Sequence, residues 1–260
     1  MTAVDLLGLL VPVTYLVMLA IESLFPARHF PPIPWWRVKG FLFLTVQGLL
    51  ATLTPLLIPE AWLHAHRLIN LDGLGVVGGA ALGWAVLSLV LYGWHRSAHT
   101  FPIMWRLFHQ IHHSPQRMDM SGAALFHPLE TIIFFVLATI TTTLILGLDP
   151  VAAALTGYIA AFCGYFQHMN TRTPRWFGYL IQRPEAHCIH HQRDVHGYNY
   201  GDLPVWDMLF GTFRNPRGFA GDVGFDQPAS GRLGAMLGFV DVNEPAAGPG
   251  TLGRSTRQPI

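Results

Sequence analysis

Charge is what this chain has least of. Only 12% of its 260 residues are Asp, Glu, Lys or Arg, against about 25% in an ordinary soluble domain. The formal net charge is +1, so the basic field that neutralises nucleic-acid phosphates is missing and nucleic acid is excluded as a partner. Cysteine is scarce as well. Cys163 and Cys188 form neither a Cys-x-x-Cys pair nor a disulfide framework, which argues against a closed structural zinc site and implies no redox compartment. The first apolar stretch lacks the basic start and clear small-residue cleavage site of a secretory leader and carries Asp5. It reads as an anchor helix.

Apolar length, by contrast, is plentiful: 51% of the residues are hydrophobic. Five stretches, Val4 to Leu24, Gly40 to Ile58, Leu74 to Trp94, Leu129 to Leu148 and Val151 to Gln167, reach or approach the roughly 17–25 residues that a membrane helix needs. Only Asp149-Pro150 separates the last two, which predicts a tight hairpin whose outer ends emerge together. The chain therefore reads as an all-α integral membrane protein with four to five transmembrane helices. If the segments alternate, residues 25–39, 95–128 and 168–260 share one side, with every arginine and lysine except Arg67. The positive-inside rule makes that side cytoplasmic. Gly73-x-Gly75-x-x-Gly78 superficially matches a dinucleotide fingerprint, but no strand precedes it and no acidic residue follows at the required distance. Gly75, Gly79 and Gly83 recur every four residues instead, the spacing that lets membrane helices approach closely.

Histidine is the other excess. Eight of fourteen histidines fall into three sets: His95 and His99; His109, His112 and His113; His187, His190 and His191. On a helix, residues three and four apart share a face, so each set presents two or three imidazoles in one direction. Surface histidine explains one such set, but not three. All histidines except His64 and His66 fall on the predicted cytoplasmic side, where Pro184 can begin the helix of the third set and His168 ends the fifth segment. His168 brings the number of candidate ligands to nine. One ion of four to six coordination cannot use nine imidazoles, so the count favours two metals with open positions, and iron suits the imidazole-rich setting. The expected architecture is thus a membrane helix bundle with a cytoplasmic helical cap that carries a di-metal site. His127, in Phe126-His127-Pro128-Leu129-Glu130, and His196 are candidates for a ligand or for a role just behind the ligands. Asp119, Glu130, Glu185 and Asp194 are candidate acceptors for imidazole N–H groups.

The runs Trp94-His95-Arg96-Ser97-Ala98-His99, Phe108-His109-Gln110-Ile111-His112-His113-Ser114, His127-Pro128-Leu129-Glu130, His168-Met169-Asn170 and His187-Cys188-Ile189-His190-His191 come in that order. Asn199-Tyr200-Gly201 and Trp206-Asp207-Met208-Leu209-Phe210-Gly211-Thr212-Phe213 follow. Together, from Tyr92 to Phe213, they resemble the fatty acid hydroxylase and sterol desaturase superfamily of integral-membrane di-iron oxygenases. The resemblance implies that His95, His99, His109, His112, His113, His168, His187, His190 and His191 hold two iron ions. With O2 and electrons from an external donor, of ferredoxin or cytochrome type with its reductase, these would oxidise a lipid C–H bond to an alcohol or alkene. The lipid could be a sterol, fatty acyl chain, carotenoid or ether lipid.

Three positions depart from the family pattern. Ser88 stands where an acidic residue is common, Ala124 and Leu125 occupy a region where an arginine is common, and Gly164 replaces a histidine found in some relatives. The domain reading is one membrane-embedded domain over residues 1–213, with its motif-bearing part at 92–213. Residues 214–260, rich in Gly and Pro, read as a loosely ordered tail with a short helix near Leu233 to Val240. Two other classes compete with the oxygenase: a membrane haem-binding or electron-transfer protein, which needs only one or two axial histidines, and a metal transporter, which places its ligands near the bilayer midplane.

Overall fold

The computed structural model describes residues 1–57 and 59–243. Helix α1 (Ala3–Leu24) begins on a capping box, in which the Thr2 hydroxyl accepts the Asp5 N–H and the Asp5 carboxylate accepts the Thr2 N–H. Asp5 is therefore a helix-capping group at the start of the span. Helix α2 (Trp36–Leu57) covers the second apolar stretch, whose final residue, Ile58, lies outside the described residues. Helix α3 (Gly75–Thr100) runs past the predicted end at Trp94 and carries His95 and His99 on its last turns.

Helix α4 (Pro128–Thr139) continues through a wider π-turn at Ile140–Ile145, and α5 (Pro150–Phe166) returns beside it. Asp149 caps α5 by accepting the N–H groups of Val151 and Ala152, and Pro150 sits at its first position, where no N–H is needed. The predicted hairpin is therefore real. At its tip Gly147 has φ +56, and a β-carbon there would run into the Ile69 carbonyl. Residues 68–71 hydrogen-bond along this tip, through Leu68 N–H to Leu144 O and Ile69 N–H to Ile145 O.

Among the described residues, the helical stretches Ala3–Leu24, Asp72–Thr100 and Pro128–Ile145 are long and apolar enough to cross a membrane, and Pro150–Phe166 is a shorter apolar helix. Leu6, Leu9, Val13, Leu16 and Val17 of α1 point outward, as expected where lipid is the solvent. The predicted small-residue stripe packs α3 against α5. A β-carbon at Gly79 would lie 2.9 Å from Ala152 Cβ, and one at Gly83 would collide with Thr156. Gly75 takes no part in that contact; it starts the helix at φ +66.

A cap of short helices joins the bundle at the end where α3 finishes and α4 begins. It contains the π-turn Trp105–His109, the turn Gln110–His113, α6 (Pro184–His190), α7 (Pro204–Leu209) and α8 (Leu233–Leu237). Buried Glu22, near the end of α1, fastens the cap by accepting the backbone N–H groups of Met120 and Asn170 at 2.9 and 2.8 Å. The described part of the C-terminal segment is not loose. Phe225 N–H bonds Ser114 O, Gly224 N–H bonds His191 O, and Gln110 bonds both Val240 O and Val242 N–H. Here glycine serves close approach: Gly224, at φ +76, lets the chain pass against the Pro115 carbonyl. Residues 244–260 of the expected tail lie outside the described residues.

Candidate metal centre

The helical period sorts the histidines. His95 and His99 are four residues apart on α3, as are His109 with His113 and His187 with His191, so each pair points one way. The third member of each triplet, His112 or His190, is turned about 100° from its neighbour. In the folded chain this yields two groups. The ring nitrogens of His95, His99, His109, His113 and His190 lie within 4.8 Å of one another, as do those of His112, His168, His187 and His191. Each H-x-x-H-H run thus gives its four-spaced pair to one group and its remaining histidine to the other. All nine sequence candidates are brought together, and every ring is at least largely shielded from solvent.

Four rings have their Nδ1 atom fixed. That atom donates to Tyr200 O from His95 at 2.8 Å, to Glu130 Oε1 from His109 at 2.7 Å, to Gly164 O from His168 at 2.6 Å and to Tyr198 O from His190 at 2.8 Å. Carbonyl and carboxylate oxygens only accept, so in these rings Nδ1 holds the proton and Nε2 keeps a free lone pair. Two of those lone pairs point at Nε2 atoms of neighbouring rings. His168 Nε2 lies 3.1 Å from His112 Nε2 and 3.2 Å from His191 Nε2, and His190 Nε2 lies 3.1 Å from His113 Nε2. Nε2 of His95, His99 and His109 is buried without a hydrogen-bond partner among the described residues. A proton on one ring could satisfy one of these contacts, but not their convergence. A cation among them satisfies all at once, so the donor set fits a metal.

Burial also favours the ligand form. It holds His112, His113, His187, His190 and His191 well below the ordinary histidine range, reinforced by neighbouring imidazoles. His168 is lowered to about 4, chiefly by burial. Neutral imidazole, with its lone pair available, is the state that binds metal.

Residues 80–212 match the family model described as fatty acid hydroxylase. The chain belongs to that family. The matched segment covers half of the chain and includes all nine clustered histidines. Among curated proteins, the chain is 34% identical over 163 residues to an ornithine lipid hydroxylase of Rhizobium tropici, an alignment covering 61% of this chain and 45% of that protein. It is 27% identical over 195 residues to an alkylglycerol monooxygenase of Danio rerio, covering 69% and 42%. A cholesterol 25-hydroxylase-like protein of Danio rerio is 25% identical over 188 residues, covering 69% and 74%. The chain spans less than half the length of the first two relatives. No solved structure matches it.

The remaining candidates of this fatty acid hydroxylase fold divide sharply. Glu130 is fully buried against His109. His196 lies beside the first group: its Nδ1 donates to the His190 carbonyl at 3.1 Å, and its ring is 5.0 Å from that of His113. His127 stands apart from both groups, because its Nδ1 accepts the Leu129 N–H and thereby caps α4. Asp119 receives Trp36 Nε1 and Arg117 and caps the turn at Met120–Ala123, while Glu185 holds Thr173 and Arg183. Asp194 is an exposed turn residue at φ +61. Asp119 and Glu185 are structural ties, and none of the three carboxylates is placed on an imidazole among the described residues.

Two family departures also acquire a physical reading. Ser88 does not face the histidines; its hydroxyl accepts from Trp206 Nε1 at 2.8 Å and anchors α7 to α3. Gly164 supplies a carbonyl to His168 rather than a ring. The acceptors that spacing alone missed are backbone atoms, the carbonyls of Tyr198, Tyr200 and Gly164. The Asn199-Tyr200-Gly201 run was the available signal for one of them, Tyr200, but no side chain in it announces the role.

Proposed function

We propose that this chain is a membrane-bound lipid hydroxylase that uses a pair of non-haem iron ions, O2 and externally supplied electrons. The observation that carries the reading is the pair of buried histidine groups whose ring nitrogens converge, four of the rings with Nδ1 already committed to an oxygen acceptor. In this reading His95, His99, His109, His113 and His190 hold one ion and His112, His168, His187 and His191 the other. When bound, two irons supply the capacity to reduce O2 and oxidise an unactivated C–H bond. Glu130 and the carbonyls of Gly164, Tyr198 and Tyr200 orient the rings by holding the proton at Nδ1. The packed cap excludes water from the reacting atoms.

An aromatic path supports entry of a lipid from the bilayer side. The Phe126 ring stacks on His112 with centroids 4.1 Å apart, and Phe134 of the α4 span follows at 5.4 Å. An acyl chain leaving the membrane along Phe134 and Phe126 would arrive at the second histidine group. The relatives' names favour hydroxylation over desaturation, and an amphipathic lipid with a polar head as substrate. The cap is proposed to face the cytoplasm, where a soluble electron donor can reach it, and the working domain is proposed to be residues 1–213. Haem is disfavoured because the crowded ring nitrogens leave no gap for a macrocycle. Transport is disfavoured because the groups sit beside the end of α3 and not at mid-span.

Comparative lipid profiling of cells carrying the active chain or a His190→Ala, His191→Ala double variant tests this function. The expected result is a lipid that gains one oxygen only with the active chain. Loss of two hydrogens would replace hydroxylation with desaturation, and identical profiles in cells that contain the protein and its electron donor would overturn the enzyme reading.

A further inference from the structure

We propose that Asp207 is a positioning residue for the first metal, acting on His95 through a single peptide group; this rests on the two-metal reading above. Asp207 is completely buried. Its Oδ1 accepts the Tyr200 N–H at 2.9 Å and the Thr212 hydroxyl at 2.7 Å, and its Oδ2 accepts the Gly201 N–H at 2.9 Å. Tyr200 C=O and Gly201 N–H are the two ends of one amide. That carbonyl accepts the His95 Nδ1–H at 2.8 Å.

Carboxylate, amide and imidazole therefore form one continuous hydrogen-bonded chain. In a trans peptide the C=O and N–H point in opposite directions, so a negative charge at the N–H end polarises the amide and strengthens the carbonyl as an acceptor. A stronger acceptor at Nδ1–H makes Nε2 a better ligand, as a carboxylate bonded directly to the ring would. Glu130 does the latter for His109. The first group thus has carboxylates behind two of its rings, one in contact and one through a peptide.

The surrounding structure is arranged for this approach. A β-carbon at Gly201 would lie 3.2 Å from Asp207 Oδ2 and 3.1 Å from Leu203 O, tighter than ordinary contact, so glycine lets the carboxylate reach the amide. Thr212 also meets the Tyr92 hydroxyl at 3.1 Å, and Arg96 donates to that hydroxyl at 3.2 Å. Both belong to α3, the helix that carries His95, so both ends of the chain are tied to one element. The same loop presents the Tyr198 carbonyl to His190, a second ring of the same group.

The test uses the full chain in lipid nanodiscs with cobalt(II) as the probe, its affinity read by visible absorption under chelator competition. A His168→Ala background leaves the first group to be measured, and a His99→Ala, His109→Ala, His113→Ala background the second. Asp207→Asn removes the charge and one acceptor; affinity of the first group is expected to fall tenfold or more while the second changes less than twofold. Thr212→Val removes a bond to the same carboxylate but leaves the peptide contact, and is expected to match the parent. The hyperfine-shifted Nδ1–H resonance of His95 is expected to move in Asp207→Asn and not in Thr212→Val. Unchanged affinity in Asp207→Asn, equal weakening of both groups, or the same loss in Thr212→Val would overturn the proposal. If Asp207→Asn does not accumulate, Asp207→Glu, which displaces the carboxylate by one methylene, is judged by the same selective loss. Failure of the two-metal reading shows separately, as wild-type protein that takes up fewer than two equivalents.

Discussion

The two histidine groups share a cap and a ligand chemistry, yet they are held differently. In the five-membered group, His95, His109 and His190 have Nδ1 locked onto oxygen acceptors, one of them the carboxylate of Glu130. In the four-membered group His168 alone has Nδ1 within 3 Å of an oxygen acceptor among the described residues, and His112 leans on the flat face of Phe126. Orientation fixed before metal arrives costs less entropy on binding. The first group therefore has more of its rings fixed in orientation before metal binds than the second.

Removing a ligand from either group should erase this difference in activity. His113→Ala in the first or His112→Ala in the second is expected to lower product formation at least 100-fold, with the protein still in the membrane; turnover assays with immunodetection check this. Unchanged turnover in either variant would leave that group outside the chemistry. Stepwise chelation sharpens the comparison. The four-membered group is expected to release its ion first, and Glu130→Gln to weaken the five-membered group by about 10- to 100-fold until the order of release becomes equal or reverses.

A pH titration of metal-free protein probes what the two groups share. The second group's His168 is lowered to about 4 by burial, and the other resolved cap histidines lie well below their ordinary value. An unfolded histidine titrates near 6.5, so between about 6.5 and 4 the unfolded chain binds more protons than the native one. Stability is then complete above this window and falls as pH drops through it. Thermal unfolding from pH 8 to 4 should show the decline, and bound metal should steepen it. The smallest effect is expected at the far end of the bundle's first helix. Thr2→Ala removes the α1 cap at a cost of about 1 kcal/mol, leaves both metal affinities unchanged, and so separates bundle stability from the site.

Local patterns made part of this legible in the sequence. Four-residue spacing along a helix placed His95 with His99 and His187 with His191, and apolar length located three helices long enough to cross a membrane and the hairpin at Asp149-Pro150. The expectation that all three imidazoles of an H-x-x-H-H run face one direction fails, because adjacent residues on a helix are turned about 100° and the runs divide between the two groups. His127 could not be separated from the ligands by sequence; whether its ring meets a metal or its own helix's N–H depends on the entry angle of the chain at Pro128. Asp119 and Glu185 were equally ambiguous, since a carboxylate's partner is chosen by tertiary contact. The Tyr198, Tyr200 and Gly164 carbonyls were invisible because any residue type provides one. Composition misled at Gly224, where glycine marks close packing and not looseness.

The chain is proposed to build two metal sites and not one. Elemental analysis of anaerobically purified, iron-loaded protein tests it directly, alongside the His95→Ala and His168→Ala variants. Two irons per wild-type chain, about one in the His168→Ala variant, and an iron released more readily on chelation in the His95→Ala variant are predicted. One iron in the wild type, retained in the His168→Ala variant, would contradict the account and reduce the second group to structural histidines.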